Sequence, residues 1–243
     1  MQTTTAGHRF SYGYPWRVHR FLGDDHPLGR LDLRTHVLNY SWNRLNADRL
    51  TVYGYLLEFD EPALRAAATQ TYGISYDGSI DFATRKLLYR AEYADQSDYA
   101  DNPTPVDAWY ANVELGLRFA NQWVFTAGVE MLSGDGTSAF QTPLATLHKF
   151  NGFADVFAAA TPVDGVEDRY LRVYLPIVGT RLTVTLHDFR SDNANRDYGS
   201  EIDAELNWRL GSHWLIGVKY ADYSAEEFGA DTRKGWLSLQ AGF

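Results

Sequence analysis

The chain of 243 residues carries a formal net charge of -9, contains no cysteine and is 15% aromatic. The acidic balance argues against a nucleic-acid partner, because no basic surface is available to displace counterions from phosphates. The lack of cysteine excludes disulfides and thiolate metal sites. No run of roughly 18 apolar residues occurs, so a transmembrane helix is excluded as well.

About twelve strands are predicted along the chain, each from a run in which apolar and polar residues alternate. This alternation and the high aromatic content favour extended strands over a helical bundle. The clearest run is "EIDAELNWR" from Glu201, which places Ile202 and Leu206 on one face and its acidic residues on the other. The predicted strands begin near Tyr12, Leu31, Arg49, Thr69, Lys86, Asp107, Trp123, Glu167, Arg181, Tyr198, Ser212 and Thr232.

The connections between these strands alternate between short turns, such as "ANQ" and "LGSH", and longer polar loops, such as "GDDHPLGR" and "QSDYADNPTPVD". One connection, residues 77–85, is long for a short turn. An even number of strands with short turns at one rim and long loops at the other is typical of an outer-membrane barrel with both termini at the periplasmic rim. The sequence therefore predicts an all-β, closed antiparallel transmembrane β-barrel, a single domain over residues 1–243 located in the bacterial outer membrane.

A soluble antiparallel barrel or sandwich is the alternative, because alternation alone does not distinguish the inside of a barrel from the outside. Two features favour the membrane barrel: the runs of about ten residues suit a tilted membrane strand, and the apolar faces carry aromatic residues near their ends. A barrel of about twelve strands is also too wide to be filled by small side chains, which suits a charged, wet lumen. The aromatic residues expected at the membrane interfaces are Trp123, Trp208, Trp214 and Tyr220.

The connection over residues 133–166 is far longer than a hairpin needs. It is too rich in large apolar residues for a freely solvated coil, since it contains Phe140, Leu144, Leu147, Phe150, Phe153 and Phe157. We therefore expect this loop to pack across or into the mouth of the barrel and to narrow the pore.

The C-terminal segment "KGWLSLQAGF" alternates like the other strands and ends on Phe243. A last strand of this kind with a terminal aromatic resembles the signal that the outer-membrane assembly machinery recognises. The expected partners are this machinery, outer-membrane lipid and lipopolysaccharide, and no cofactor is predicted.

A family resemblance rests on five segments that follow one another along the chain: "LLYRAEYADQSDYADNP" from Leu87, "GDGTSAFQTPLATLHKFNGFADVF" from Gly134, "LHDFRSD" from Leu186, "DYGSEIDAEL" from Asp197 and "KYADYSAEEFGADT" from Lys219. Together they resemble the alginate-export family of outer-membrane porins. The resemblance implies a passive channel for an anionic polysaccharide such as alginate, or for small solutes as in looser relatives. Members of that family are generally longer, so this chain would be a shortened member that lacks the N-terminal strands. A truncated or engineered barrel without a specific substrate is the alternative.

Charged side chains of both signs fall on the face opposite the apolar one, and they are the candidate pore-lining and substrate-binding residues. A pore for a polyuronate needs a basic track, which Lys86, Arg90, Arg118 and Arg172 would form. The alternative is that these residues make cross-strand ion pairs that brace the wall. The candidate set is Arg17, Lys86, Arg90, Glu92, Glu114, Arg118, Arg172, Arg181, Glu201, Asp203, Glu205 and Lys219.

A barrel hydrolase is a further alternative. His187 and Asp188 are adjacent and so face opposite sides of a strand, while His148 lies in the long loop with Asp155 nearby in sequence. No Gly-x-Ser-x-Gly motif occurs, so an enzymatic role is not favoured.

Metal binding is not predicted either. Acidic clusters occur in the predicted outer loops, where a divalent cation would bridge protein and lipopolysaccharide, but a solvated loop is the simpler interpretation. No loop has the spacing of an EF-hand. The clusters are Asp24 with Asp25, Asp95 with Asp98 and Asp101, and Glu226 with Glu227.

Overall fold

The computed structural model describes residues 1–5, 7–20, 23, 25–26, 29–44, 48–144, 151–158, 160–177 and 179–242. Within these residues the chain forms fifteen β-strands and one short 3-10 helix, Pro62–Ala67. No helix in this part of the chain is long and apolar enough to cross a membrane. The strands are β1 (Gln2–Thr5), β2 (His8–Gly13), β3 (Arg17–His19), β4 (Arg30–Asp32), β5 (His36–Arg44), β6 (Asp48–Leu57), β7 (Thr69–Phe82), β8 (Arg85–Asp98), β9 (Asp107–Arg118), β10 (Val124–Leu132), β11 (Val166–Ile177), β12 (Thr180–Arg190), β13 (Asp197–Leu210), β14 (Trp214–Ala225) and β15 (Thr232–Ala241).

Thirteen strands form one continuous antiparallel sheet in the order β1, β2, β5, β6 and then β7 to β15 in sequence, while β3 and β4 form a separate two-stranded sheet. The predicted all-β antiparallel fold is confirmed, but the predicted number of about twelve strands is wrong. The strand predicted from Leu31 is divided into β4 and β5, because Leu33 leaves the pattern to form a bridge with Phe59. In addition, β1 precedes the first strand that the sequence predicts.

The connection predicted over residues 77–85 is part of a long hairpin. β7 continues to Phe82, and the turn to β8 takes only Ala83 and Thr84, with Ala83 in the left-handed conformation at φ 52°. Asp77 and Asp81 are polar because they face the inner side of the sheet, opposite Arg90 and Lys86 on β8. Their polarity was therefore a sign of the inner face and not of a loop.

The predicted closure of the barrel is wrong for the described residues. β1 pairs with β2 and β15 pairs with β14, and within these residues no ladder joins β1 to β15. The odd number of strands also places the start of β1 and the end of β15 at opposite rims, whereas the sequence predicts both termini at one rim. Whether two edge strands meet depends on twist and register accumulated over the whole sheet, which no local alternation encodes.

The two faces of the thirteen-stranded sheet differ in chemistry. On β13, Ile202 is 51% exposed on the outer face, whereas Glu201 and Asp203 are each 2% exposed on the inner face. A soluble barrel would bury its apolar face, so this distribution favours the membrane-spanning interpretation. Other large side chains exposed on the outer face are Val113, Leu115, Leu171, Leu186, Leu206, Val218, Leu237 and Leu239, together with the predicted interfacial residues Trp123, Trp208, Trp214 and Tyr220.

The inner face is covered by the connection between β10 and β11, residues 133–165, which we call the inner loop. Its Phe157 belongs to a buried cluster with Phe189, Tyr198 and Tyr223 of β12 to β14. Its Phe140 belongs to a second buried cluster, with Ala94, Val106, Ala108 and Leu132. Two of the apolar residues expected to pack, Leu147 and Phe150, lie outside the described residues.

Candidate functional site

Cross-strand register aligns the charged residues of the inner face. Arg90 on β8 is the register partner of Glu114 on β9, and His187 on β12 is the partner of Glu201 on β13. Residues that are register partners point to the same face, because side chains alternate with a period of two along each strand. Alternation therefore decides which residues share the inner face, and the register decides which of them meet.

Most of the basic residues predicted to line the pore contact carboxylates of the wall. This arrangement agrees with the interpretation that they brace the sheet, and their role in lining a pore stays a prediction. Pairs that are partly exposed to solvent contribute only about 0 to 1 kcal/mol each to stability. The pairs are Lys86 with Asp81 (3.2 Å), Arg90 with Asp77 (3.7 Å) and with Glu92, Arg172 with Glu114 (3.4 Å), and Lys219 with Glu205 (3.5 Å).

Three other predicted residues lie apart from these pairs. Arg118 and Arg181 occupy exposed positions at the short-turn ends of β9 and β12. Arg17 is not part of the thirteen-stranded sheet, because β2 ends at Gly13 and the following Pro15 cannot donate to a ladder. Arg17 lies on β3, where its hydrogen bond to the Asp32 carboxylate lowers the pKa of Asp32. Its assignment to the inner face is corrected accordingly.

His187 is buried between two carboxylates of the inner face. Its Nδ1 donates to Asp168 on β11 at 2.9 Å, and its Nε2 lies 3.6 Å from the Oδ2 atom of Asp203 on β13. The sequence suggested only the neighbouring Asp188, which instead pairs with Arg190 at 3.1 Å. Because the contacts of His187 cross from strand to strand, only the register of β11, β12 and β13 could have revealed them.

The first limb of the inner loop is anchored by side-chain amides. Gln96 on β8, only 2% exposed, donates from Nε2 to the Gln141 carbonyl at 2.9 Å and accepts from the Gln141 N–H at 2.8 Å. Gln141 in turn donates to the Thr161 carbonyl at 2.9 Å and accepts from the Thr161 N–H at 3.1 Å. The side chains of Gln96 and Gln141 thus pair with the backbone N–H and C=O groups of Gln141, near the start of the loop, and of Thr161, near its end. An adjacent β-strand would satisfy these groups in the same way.

The middle of the inner loop is held by the acidic residues of the wall. The Glu201 carboxylate accepts from the Ala154 N–H at 2.7 Å, and Asp203 accepts from the Phe153 N–H at 2.9 Å. Gly152 approaches Glu201 so closely, at φ 84°, that any side chain at this position would collide with the carboxylate. The acidic face of "EIDAELNWR" therefore binds the loop backbone, a role that its charge alone did not indicate.

Aromatic packing fixes the returning limb of the loop. The ring centroid of Phe157 lies 4.9 Å from that of Phe189 and 5.3 Å from that of Phe228, whose ring is stacked on it. Lys234 on β15 donates to the Asp155 carboxylate at 3.0 Å beside this cluster. The inner loop is therefore joined to the wall by hydrogen bonds, an ion pair and a buried aromatic core, and it covers much of the inner face.

Two carboxyls with shifted pKa values lie outside the strands, one at the base of the inner loop and one in the neighbouring connection. The N–H groups of Ser138 and Thr137 donate to Asp135 at 2.7 Å each and lower its pKa. Asp192, in the connection after β12, accepts from the Gly134 N–H at 3.2 Å, and burial raises its pKa. These contacts tie the first turn of the inner loop to a neighbouring loop.

Removing the carboxylate of Glu201 should loosen the middle of the inner loop. In the Glu201→Ala variant the Ala154 N–H loses its acceptor, and a buried donor left without a partner costs about 1 to 3 kcal/mol. We expect faster proteolytic cleavage within residues 151–158 in the folded protein, measured by limited digestion and mass spectrometry. Asp81→Ala removes an inward carboxylate that pairs with Lys86 instead, and it should leave the cleavage rate unchanged.

Neither a catalytic triad nor a metal site emerges from the described residues. No group of three or more histidine and acidic side chains among them is arranged to hold a metal ion. Asp98 accepts from the Val106 N–H at 3.2 Å and Glu227 from the Asp197 N–H at 3.0 Å, so both stabilise loops. Two residues of the earlier alternatives, His148 and Asp24, lie outside the described residues.

Comparison with known proteins identifies the fold. No protein-family model and no curated protein sequence matches the chain. Among solved structures, OccAB4 of Acinetobacter baumannii has a TM-score of 0.76 at 12% identity, with 99% of this chain and 63% of that chain covered. OpdK of Pseudomonas aeruginosa, solved with vanillate, has a TM-score of 0.76 at 12% identity, with 98% and 66% covered. OccK11 (OpdR) of Pseudomonas aeruginosa has a TM-score of 0.69 at 15% identity, with 98% and 68% covered.

These matches confirm a porin-like fold and correct the family resemblance. The matching structures are Occ and Opd outer-membrane porins, so the similarity to the alginate-export family is wrong. The chain spans about two thirds of the length of these porins. Their location supports the predicted location of this chain in the bacterial outer membrane.

Proposed function

We propose that the chain acts as a passive channel for small solutes across the bacterial outer membrane. Three features support this proposal: the porin-like fold, the apolar outer face of the sheet and the charged inner face. The neighbours in structure are channel proteins, which agrees with the expectation that this chain is not an enzyme. Export of an anionic polysaccharide is not part of the proposal.

The opposite chemistry of the two faces of one sheet is the observation that carries the proposal. On β13 alone, exposed Ile202 and Leu206 alternate with Glu201, Asp203 and Glu205. A bilayer solvates the first set and excludes the second, so the charged face must enclose water, protein or solute. An inner face of this kind, partly covered by a folded loop, suits a selective and narrow passage.

The proposed partners follow from the outer surface. The exposed apolar side chains would contact lipid, and the polar loops beyond them would face lipopolysaccharide. Recognition by the outer-membrane assembly machinery through the last strand is proposed as well, although Phe243 lies outside the described residues. No nucleic acid is expected among the partners.

Electrical recording tests the proposed channel directly. We expect the purified full chain to produce discrete, stepwise currents in a planar lipid bilayer and to let small sugars swell liposomes. A soluble module or a plugged barrel would give neither signal. Absence of both in a preparation whose folding has been verified by circular dichroism would contradict the proposal.

A further inference from the structure

A cavity of about 530 Å³ separates part of the inner loop from the wall. It lies between residues 140–144 and Phe157 of the loop on one side and the inner faces of β5 to β10 on the other. Its volume falls within the range of roughly 300 to 1,000 Å³ that is usual for small-molecule sites. The cavity is therefore large enough for a solute with one ring and a few water molecules.

The cavity is lined by aromatic rings in two groups. Tyr53 and Tyr55 on β6 stack with their centroids 4.9 Å apart, and Tyr110 on β9 lies 5.6 Å from Phe140 of the inner loop. Phe157 contributes a further ring. Aromatic faces carry negative partial charge and attract cations as well as apolar groups.

The charged side chains that line the cavity are both acidic. They are Glu92 and Glu130, and no lysine, arginine or histidine is among the described lining residues. Glu92 contacts Arg90 and accepts from the Tyr53 hydroxyl at 2.8 Å, so its charge is largely balanced. Glu130, 6% exposed, accepts from the neutral Tyr110 hydroxyl at 2.6 Å and the neutral Asn151 amide at 3.0 Å.

We propose that this cavity binds small organic cations in which an ammonium group is attached to an aromatic or branched apolar body. The inference rests on the proposed channel function and names its substrate class. An ammonium group beside the buried Glu130 carboxyl stabilises its charged form and is attracted by it, because the hydrogen-bond donors of this carboxyl are neutral and do not compete for its charge. The apolar body packs against the tyrosine and phenylalanine rings, where cation–π attraction adds to the burial of apolar surface.

The same lining disfavours an organic anion. A carboxylate in the cavity would meet Glu92 and Glu130 in a partly desolvated space, where like charges repel strongly. Arg90, which contacts Glu92 of this lining, is also paired with Asp77. A neutral aromatic alcohol has no such penalty but lacks the attraction to Glu130, so its affinity should be intermediate.

Three probes that share a phenyl ring and differ in charge test the proposal on the full chain in detergent, by isothermal titration calorimetry. Benzyltrimethylammonium should bind most tightly, benzyl alcohol more weakly and benzoate most weakly. Glu130→Gln should weaken binding of the cation by roughly tenfold, the equivalent of about 1.4 kcal/mol, and leave benzyl alcohol unchanged. Asp81→Asn, a change of an inward carboxylate at the far end of β7, should leave all three affinities unchanged.

Each outcome supports or overturns the assignment. If the unmodified chain binds benzoate as tightly as benzyltrimethylammonium, the cation site is refuted without recourse to a variant. If Glu130→Gln does not fold, Glu92→Gln provides the second test. This variant leaves Arg90 without its Glu92 partner beside the cavity, so the added positive charge should weaken cation binding, and an unchanged affinity counts against the site. If the chain conducts ions in a bilayer but does not bind the cation preferentially, the proposed channel stands and the cation site is refuted. If it binds the cation preferentially but does not conduct, the cation site stands and the proposed channel is refuted.

Discussion

Replacing Leu206 with arginine is expected to impair insertion of the protein into lipid bilayers. Leu206 lies on the outer face in a row with Leu182, Val218 and Leu237, its neighbours across β12 to β15, and Trp208 follows it towards the short-turn rim. An arginine that faces lipid costs about 2 to 4 kcal/mol at the middle of the bilayer and less near the interface, where Trp208 is expected, so the cost at Leu206 lies between these limits. The inserted fraction can be measured by urea titration in lipid vesicles, with the mobility of the folded form in gels as the readout.

The matched control places the same arginine one residue further along β13, at Asn207. This position faces inward, with Arg181 and Gly217 as its register partners, so the added charge remains in contact with water or polar groups. Asn207→Arg should insert nearly as well as the unmodified chain. Asn207 is a simpler control than Glu205, since arginine at Glu205 would also remove the carboxylate that pairs with Lys219, whereas Arg181 opposite Asn207 is exposed to water. Equal tolerance of arginine at Leu206 and Asn207 would refute the lipid-facing assignment.

The assignment of faces could be derived from sequence because it is a local property. In an extended chain the side-chain direction depends only on whether a residue is odd or even within its strand. Ile202 and Glu201 were thus assigned correctly without knowledge of any neighbouring strand. The predicted strand starts at Thr69, Asp107 and Thr232 agree with the structure for a similar reason, because the turn or loop residues that precede a strand are also a local signal.

Properties that depend on distant pairing could not be derived in this way. The division of the predicted strand at Leu31 depends on the bridge from Leu33 to Phe59. The absence of a ladder between β1 and β15 in the described part of the chain depends on the register of all thirteen strands. Buried contacts such as that of His187 with Asp168 join residues on neighbouring strands that are 19 positions apart in the sequence. Sequence indicated that these residues face inward, but not which of them touch.

For the inner loop, the packing of its aromatic residues could be predicted from sequence, but its polar contacts with the wall could not. Its excess of aromatic residues indicated that it must pack against something, and Phe140 and Phe157 do lie in buried clusters. Its polar anchors were not foreseen, because Gln96 and Glu201 look like ordinary polar residues of an inner face. Whether the loop narrows a pore remains a prediction that requires a functional measurement.

Removal of the inner loop is expected to raise single-channel conductance severalfold. Leu132 and Val166 are register partners at the ends of β10 and β11, so a short Gly-Ser turn can replace residues 136–165 without breaking the ladder. The replaced segment covers the inner faces of β8, β10 and β12 to β14, and its loss leaves more of the cross-section to water and ions. The measurement is the current step per channel in a planar bilayer at fixed salt.

A comparison loop separates the effect of the inner loop from the general effect of shortening a connection. Residues 99–105 lie between β8 and β9 beside the short helix, where Asn102 donates to the Ala68 carbonyl at 2.7 Å. Shortening this loop should leave conductance unchanged, because its contacts lie at the rim. The inner-loop deletion exposes Phe189, Tyr198 and Tyr223, so its folding must be verified before the currents are compared. If a folded deletion variant conducts like the full chain, the solute path does not pass the inner loop, and the loop then serves to cover the acidic and aromatic side chains of β12 to β14.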